Sequence, residues 1–215
     1  MHNPDSNVTH ITRTSILLLA LLLHLPLAAQ EDEHKVLLVF GDSLSAAYGI
    51  DDDEGWVPLL QQKLTDSGYD YQVVNASVSG ETSTGGLIRL PAMLENHLPD
   101  VVILELGGND GLRGLPIATL KENLLRMIKL SEEAGASVLL TGIQIPPNYG
   151  PRYTVPFTRI YGEIATEENI PLVPFLIDGI PQHPELMQND GIHPRAEAQP
   201  MIVENVWPFL EPMLD

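Results

Sequence analysis

The 215-residue chain contains no cysteine. That absence excludes disulfides, thiolate metal sites, a cysteine nucleophile and a cysteine-linked lipid anchor. It does not set the redox compartment, because an exported protein can lack disulfides. Basic residues are also scarce: Lys plus Arg number 11 against 29 Asp plus Glu, for a net charge of −18. Such a chain lacks the cations that displace counterions from nucleic-acid phosphates, and those that dock on anionic lipid. Nucleic acid and charge-held membrane surfaces are therefore set aside as partners. Aromatic residues make up only 6%, yet apolar residues reach 44%, enough for a packed core and too much for a disordered chain. Internal repeats, low-complexity tracts and interdomain linkers are absent, and the length suits a single domain.

What is present begins with an address. Met1 to Ser15 is polar with one cation, Arg13, and Ile16 to Leu23 is unbroken Leu, Ile and Ala. His24 and Pro26 interrupt the run, and Leu27-Ala28-Ala29 ends it in small residues. This order of polar, apolar and small-residue regions marks a secretory signal, with cleavage expected after Ala29. The apolar run is short for a membrane span, so a retained signal-anchor is the weaker alternative. Residues 1–29 are read as the leader, residues 30–215 as the single mature domain, and the periplasm as the destination.

The mature part alternates strand and helix patterns. Val36–Phe40 is a short apolar run ended by Gly41, as expected of a buried strand. Further strands are predicted over Tyr71–Ala76, Val101–Leu106, Ser137–Thr141 and Leu172–Phe175. Helical spacing of apolar residues predicts helices over Trp56–Ser67, Thr82–His97, Pro116–Ala134, Pro156–Glu168 and Ala196–Leu210. Pro91 implies a kink or break in the second of these, Pro200 lies inside the last, and Pro146–Tyr153 reads as a proline-rich loop. Five short strands alternating with helices imply an α/β fold with a parallel sheet covered on both faces. Such sheets bind ligands beyond the carboxyl ends of their strands, so the residues just after each strand carry the most information.

After the first strand stands Gly41-Asp42-Ser43, after the second Asn75 to Gly80, after the third Gly107-Gly108-Asn109-Asp110, and late in the chain Asp190-Gly191-Ile192-His193. Ser43 is the candidate nucleophile, and an alcohol needs a base within hydrogen-bond reach. Of the seven histidines, His193 alone has a carboxylate three residues earlier in a glycine-containing turn. Asp190 is placed to accept from one ring nitrogen and leave the other to accept from Ser43. A metal bound by Asp190 and His193 is the lesser alternative, with His183 as the one evident third ligand. Gly80 and Asn109 are candidate oxyanion donors through a backbone N–H and a side-chain amide, joined by the Ser43 N–H at a possible helix start. Taken singly, a turn glycine, a turn asparagine and a helix-capping serine explain these residues better; their joint order is what carries weight. Glu105, inside an apolar strand, needs a partner close by.

These residues resemble the SGNH (GDSL-type) hydrolase family. The similarity runs from V-F-G-D-S-L-S-A-A-Y-G through V-N-A-S-V-S-G-E-T-S-T-G-G and I-L-E-L-G-G-N-D-G-L-R-G to D-G-I-H-P. The segment Ile145–Gly150 (I-P-P-N-Y-G) resembles the family's multifunctional acyl-CoA thioesterase, lysophospholipase and arylesterase enzymes of the periplasm. The resemblance implies a flavodoxin-like three-layer α/β/α sandwich with a five-stranded parallel sheet. It implies hydrolysis of esters and thioesters through an acyl-enzyme by Ser43, His193 and Asp190, with Ser43, Gly80 and Asn109 as oxyanion donors. It implies no metal and no organic cofactor and a small-molecule acyl or aryl ester as partner; a monomer with no stable membrane anchor is expected. Leu112, Ile145, Pro146 and Tyr149 are the expected walls of an acyl groove, and Asp42 and Asp110 supports that hydrogen-bond backbone. A polysaccharide or peptidoglycan deacetylase is the neighbouring alternative. A flavodoxin-like nucleotide or phosphate binder would need a P-loop lysine or G-x-G-x-x-G after the first strand, and neither is there. A non-catalytic binding module on the same fold is disfavoured by the complete Ser, Gly, Asn, Asp and His set.

Overall fold

A computed structural model describes residues 34–215, so the leader assigned to Met1–Ala29 and its cleavage point lie outside the described residues. The sheet grows from the apolar runs. Strands β1 (Lys35–Gly41), β2 (Tyr71–Asn75), β3 (Val101–Glu105), β4 (Ser137–Thr141) and β5 (Leu172–Val173) pair in parallel in the order β2-β1-β3-β4-β5. All five residues of central β3 are buried, whereas edge strand β2 buries only Tyr71 fully. That is the two-faced burial expected of a parallel sheet. Successive side chains point to opposite faces. Leu37, Val39 and Ile103 face helices α1 (Trp56–Asp66) and α6 (Gln199–Leu210). Leu38, Phe40, Val102 and Leu104 face α2 (Ser83–His97), α4 (Ile117–Glu133) and α5 (Pro151–Glu168). Two apolar layers thus enclose the sheet in a three-layer α/β/α sandwich with the flavodoxin-like strand order. Each fully buried Leu, Ile or Phe contributes about 2 kcal/mol of transfer free energy.

Prolines account for most departures from the expected elements. β5 stops at Val173 rather than Phe175, because Pro174 has no N–H to continue the ladder. Pro91 does not divide α2, which runs unbroken from Ser83 to His97. α5 begins at Pro151, five residues before the expected start, and contains Pro156. Pro151 occupies the first turn, where its missing N–H would find no partner anyway. The Pro146–Tyr153 segment is consequently a single 3-10 turn, Pro147–Tyr149, leading into a helix. The closing helix also splits: Ala196–Ala198 is a 3-10 turn, α6 starts at Gln199, and Pro200 lies in its first turn. One α-helix has no counterpart in the sequence reading, the five-residue α3 (Gly108–Leu112) directly after β3.

Candidate active site

The strand order reverses beside β1, and the carboxyl ends of β1 and β3 lie side by side there, with Gly41 opposite Glu105. Open α/β sheets place ligands at this switch point. Ser43 stands on a turn, residues 42–50, that follows β1 without entering a helix. The expected helix start at Ser43 is therefore corrected. The turn is held instead by the Ala46 N–H on the Asp42 carbonyl (3.0 Å) and the Tyr48 N–H on the Ser43 carbonyl (3.3 Å). The Leu44 N–H donates to Asp42 Oδ1 (3.1 Å), and Asn75 at the end of β2 donates to the Ser45 carbonyl (2.8 Å).

Beneath the turn lies a buried carboxyl. Glu105 is fully inaccessible, and its Oε2 accepts from the Asp42 N–H (3.1 Å) and the Ser45 hydroxyl (2.8 Å). These are the partners that an acid within an apolar strand requires, although Oε1 has none in the protein. Gly41 makes room for this carboxyl: a Cβ there would lie 2.5 Å from Glu105 Oε2 and 3.1 Å from the Glu105 carbonyl oxygen. Burial, reinforced by the Asp42 charge, pushes the Glu105 carboxyl well above the ordinary carboxyl range. Burial also pushes Asp42 up to about 6, against the opposing pull of the Leu44 N–H, the Asn109 amide and His193.

Asn109 is carried by α3 and donates from Nδ2 to Asp42 Oδ2 (3.2 Å). That bond orients the amide, and an NH₂ group retains a second hydrogen to offer. Asp110 fixes α3 from behind, accepting from the Ser83 N–H (2.8 Å) and hydroxyl (2.6 Å) at the start of α2. Gly80 lies on the turn after β2 with φ +82°, a conformation that favours glycine, and its carbonyl accepts from Arg113 at the end of α3 (2.9 Å). Neither the Ser43 nor the Gly80 N–H donates to a group among the described residues.

The base arrives from 150 residues away in sequence. His193 Nε2 lies 2.8 Å from Ser43 Oγ, and Nδ1 lies 2.6 Å from Asp190 Oδ2. The other Asp190 oxygen accepts from the Ile192 and His193 backbone N–H groups (2.9 and 3.1 Å). Burial pushes the Asp190 carboxyl up, but the His193 ring and the two backbone N–H groups outweigh it and hold the carboxyl below its ordinary value. An ionised Asp190 accepts the Nδ1 proton, leaving Nε2 free to accept from Ser43. His183 keeps to the surface with Glu185 (3.4 Å). Among the described residues, no three His, Asp or Glu side chains cluster in a way that would hold a metal ion.

Ser43 and Asn109 open onto a cavity of about 280 Å³. Of the expected groove residues, Leu112, Ile145 and Pro146 line it, and Tyr149 does not. The Tyr149 hydroxyl donates instead to the Leu112 carbonyl (2.8 Å), tying its turn to α3. Gly80 also lies outside the cavity wall. Ile143, Phe175, Ile177, Met187 and Ile192 add to the apolar lining without having been anticipated. They come from separate loops, and only their common position after β4, after β5 and before His193 hints at a shared surface.

A Ser–His–Asp constellation at the carboxyl edge of a parallel α/β sheet defines a serine hydrolase. Residues 39–199 match the GDSL-like Lipase/Acylhydrolase family, and the chain belongs to it. It is 55% identical over 198 residues to a protein of Pseudomonas aeruginosa named esterase TesA, covering 92% of this chain and 98% of that one. It is 43% identical over 179 residues to thioesterase 1/protease 1/lysophospholipase L1 of Escherichia coli, covering 83% and 85%. The crystal structure of TesA superposes with a TM-score of 0.82 at 57% identity, over 84% of this chain and all of that one. That of the psychrotrophic esterase EstA from Pseudoalteromonas gives 0.79 at 45% identity, over 83% and 97%. The chain is thus an SGNH-type esterase.

Proposed function

We propose that the chain hydrolyses carboxylic esters and thioesters, with aryl esters, acyl-CoA and lysophospholipids as substrate classes, through an acyl-enzyme on Ser43. The observation that carries this is the 2.8 Å contact between Ser43 Oγ and His193 Nε2 at the mouth of an apolar cavity. Ser43 Oγ attacks the substrate carbonyl carbon while its proton passes to Nε2. Asp190 holds Nδ1–H and stabilises the imidazolium. The oxyanion is met by the Ser43 and Gly80 N–H groups and the free hydrogen of Asn109, each such donor worth about 3 kcal/mol of barrier. The imidazolium protonates the leaving alkoxide or thiolate as the carbonyl–heteroatom bond breaks. Water, deprotonated by His193, then releases the acid and restores Ser43. The side chains around the cavity favour an acyl or aryl group over a carbohydrate, which separates this reading from a polysaccharide deacetylase.

A panel of p-nitrophenyl esters, acyl-CoAs and lysophospholipids turned over by wild type and not by Ser43→Ala is the expected result. Equal turnover by both proteins would end the proposal. In the same panel Ile145→Ala shifts the acyl chain-length profile, and an unchanged profile removes Ile145 from the groove wall.

The polar, apolar and small-residue order of residues 1–29 supports export and cleavage after Ala29, releasing residues 30–215 into the periplasm as a monomer. Among the described residues no helix is long and apolar enough to cross a membrane. Mass spectrometry and light scattering of the exported protein test both points; a retained leader or a stable dimer overturns them.

A further inference from the structure

His193 rides on a segment without helix or sheet strand, between the 3-10 turns Pro184–Leu186 and Ala196–Ala198. The segment closes on itself through a bridge between Met187 and Pro194 and through the Arg195 N–H on the Leu186 carbonyl (2.7 Å). These bonds shape the loop but do not register it against the nucleophile turn. The Ser43–His193 hydrogen bond cannot serve as that register, because it is remade with every proton transfer.

Gln188 spans the gap. Its Nε2 donates to the Tyr48 carbonyl (2.7 Å) and to the Pro194 carbonyl (3.1 Å), using both hydrogens of the amide. Its backbone N–H donates to the His193 carbonyl (2.8 Å). One half-buried residue therefore grips the turn that begins at Ser43 and the two successive carbonyls of His193 and Pro194. Gly49 is shaped to receive it: with φ +77°, a Cβ there would fall 2.4 Å from Gln188 Oε1. The same fastening brings the Tyr48 ring to 4.5 Å from the His193 ring, centroid to centroid.

We propose that Gln188 is a positioning residue that sets the Ser43–His193 geometry by fastening the nucleophile turn to the His193 loop. The inference rests on Ser43 and His193 being nucleophile and base. A base displaced by about 1 Å can cost on the order of a hundred-fold in rate, so the effect belongs in kcat. Gln188→Leu keeps the volume and removes both donors. Gly49→Ala disturbs the same contact from the other side and leaves Gln188 intact.

With p-nitrophenyl acetate, each variant is expected to lose about ten- to a hundred-fold in kcat per titrated active site, with KM within about two-fold of wild type. Inactivation by a p-nitrophenyl phosphonate slows by the same factor, since it needs the same activated hydroxyl. The double variant is no slower than the worse single one, because both remove one contact. Wild-type kcat in either correctly folded variant, a loss confined to KM, or multiplied losses in the double variant overturns the proposal. Phosphonate that leaves wild-type Ser43 unlabelled would instead overturn the nucleophile assignment, and the role of Gln188 with it.

Discussion

The two halves of the active site are held by opposite means. On the nucleophile side, Asp42, Ser45 and Glu105 are all at or below 2% exposure and are wired into the ends of β1 and β3. On the base side, the Asp190 side chain is 37% exposed and bonds only to Ile192 and His193, and the loop meets the nucleophile turn where His193 touches Ser43 and Tyr48 and where Gln188 bonds to Tyr48. Buried polar groups fix geometry rigidly, and they cost stability when ionised. A surface loop costs little to build, and it opens more readily than the sheet does. The groups that support the proposed nucleophile are thus part of the folding core, whereas the proposed base is an attachment to it. Damage to the first half should be read in stability, and damage to the second in turnover.

The sharpest way to test that division is to remove chemistry from each half without touching packing. Ser43→Ala should lower kcat by about 10⁶-fold, and Asp190→Asn, which holds His193 in the wrong tautomer, by about 10⁴-fold. Ester hydrolysis measures both, and thermal unfolding should show both proteins folded. Gly41→Ala is the contrasting probe, because it drives a Cβ into the Glu105 carboxyl and backbone without altering any reacting group. Overpacking of this kind should destabilise the protein by about 1–3 kcal/mol in urea unfolding. A Gly41→Ala protein as stable as wild type would show that the floor beneath Ser43 is pliable.

The Glu105 carboxyl adds a pH signature to the buried half. Its folded pKa stands well above the unfolded value of 4.5. Stability is therefore full below pH 4.5 and is lost as pH rises toward the folded value, because the unfolded chain releases a proton that the folded chain keeps. Glu105→Gln has no such proton. Its melting temperature relative to wild type should climb as pH rises above 4.5. A difference that stays flat with pH would mean that Glu105 is ionised in the native state.

The contrast also explains what can be read from the sequence. The sheet is legible because runs such as Val36–Phe40 and Val101–Glu105 are apolar on both faces and bounded by turn residues. The positions of Ser43, Asn109 and His193 are legible because motifs after strands mark where an open sheet gathers its chemistry. Glu105 declares itself as an acid in an apolar strand, yet its partners are 60 and 63 residues away and leave no local trace. Gln188 is harder still, since its grip on Tyr48 spans 140 residues and an isolated loop glutamine has no pattern. α3 is hidden because Gly107 and Gly108 read as a turn, while its fixing contact, Asp110 to Ser83, is again nonlocal. Prolines mislead in both directions: they stop β5 and leave α2 whole.

The smallest effect expected is on the stability of the base half in acid. Asp190 is held below its ordinary value by groups of its own loop, so its contribution is present above the unfolded value of 3.8 and fades as pH falls through the folded one. Solvent reaches more than a third of the side chain, and water screens most of what its partners supply. Asp190→Asn should therefore melt within about 2 °C of wild type at pH 6, and the gap should narrow as pH falls below 3.8. The same protein should lose nearly all of its turnover, which makes it the clean counterpart of Gly41→Ala. A gap at pH 6 as wide as that of Gly41→Ala would place the His193 loop inside the cooperative core and erase the distinction between the two halves.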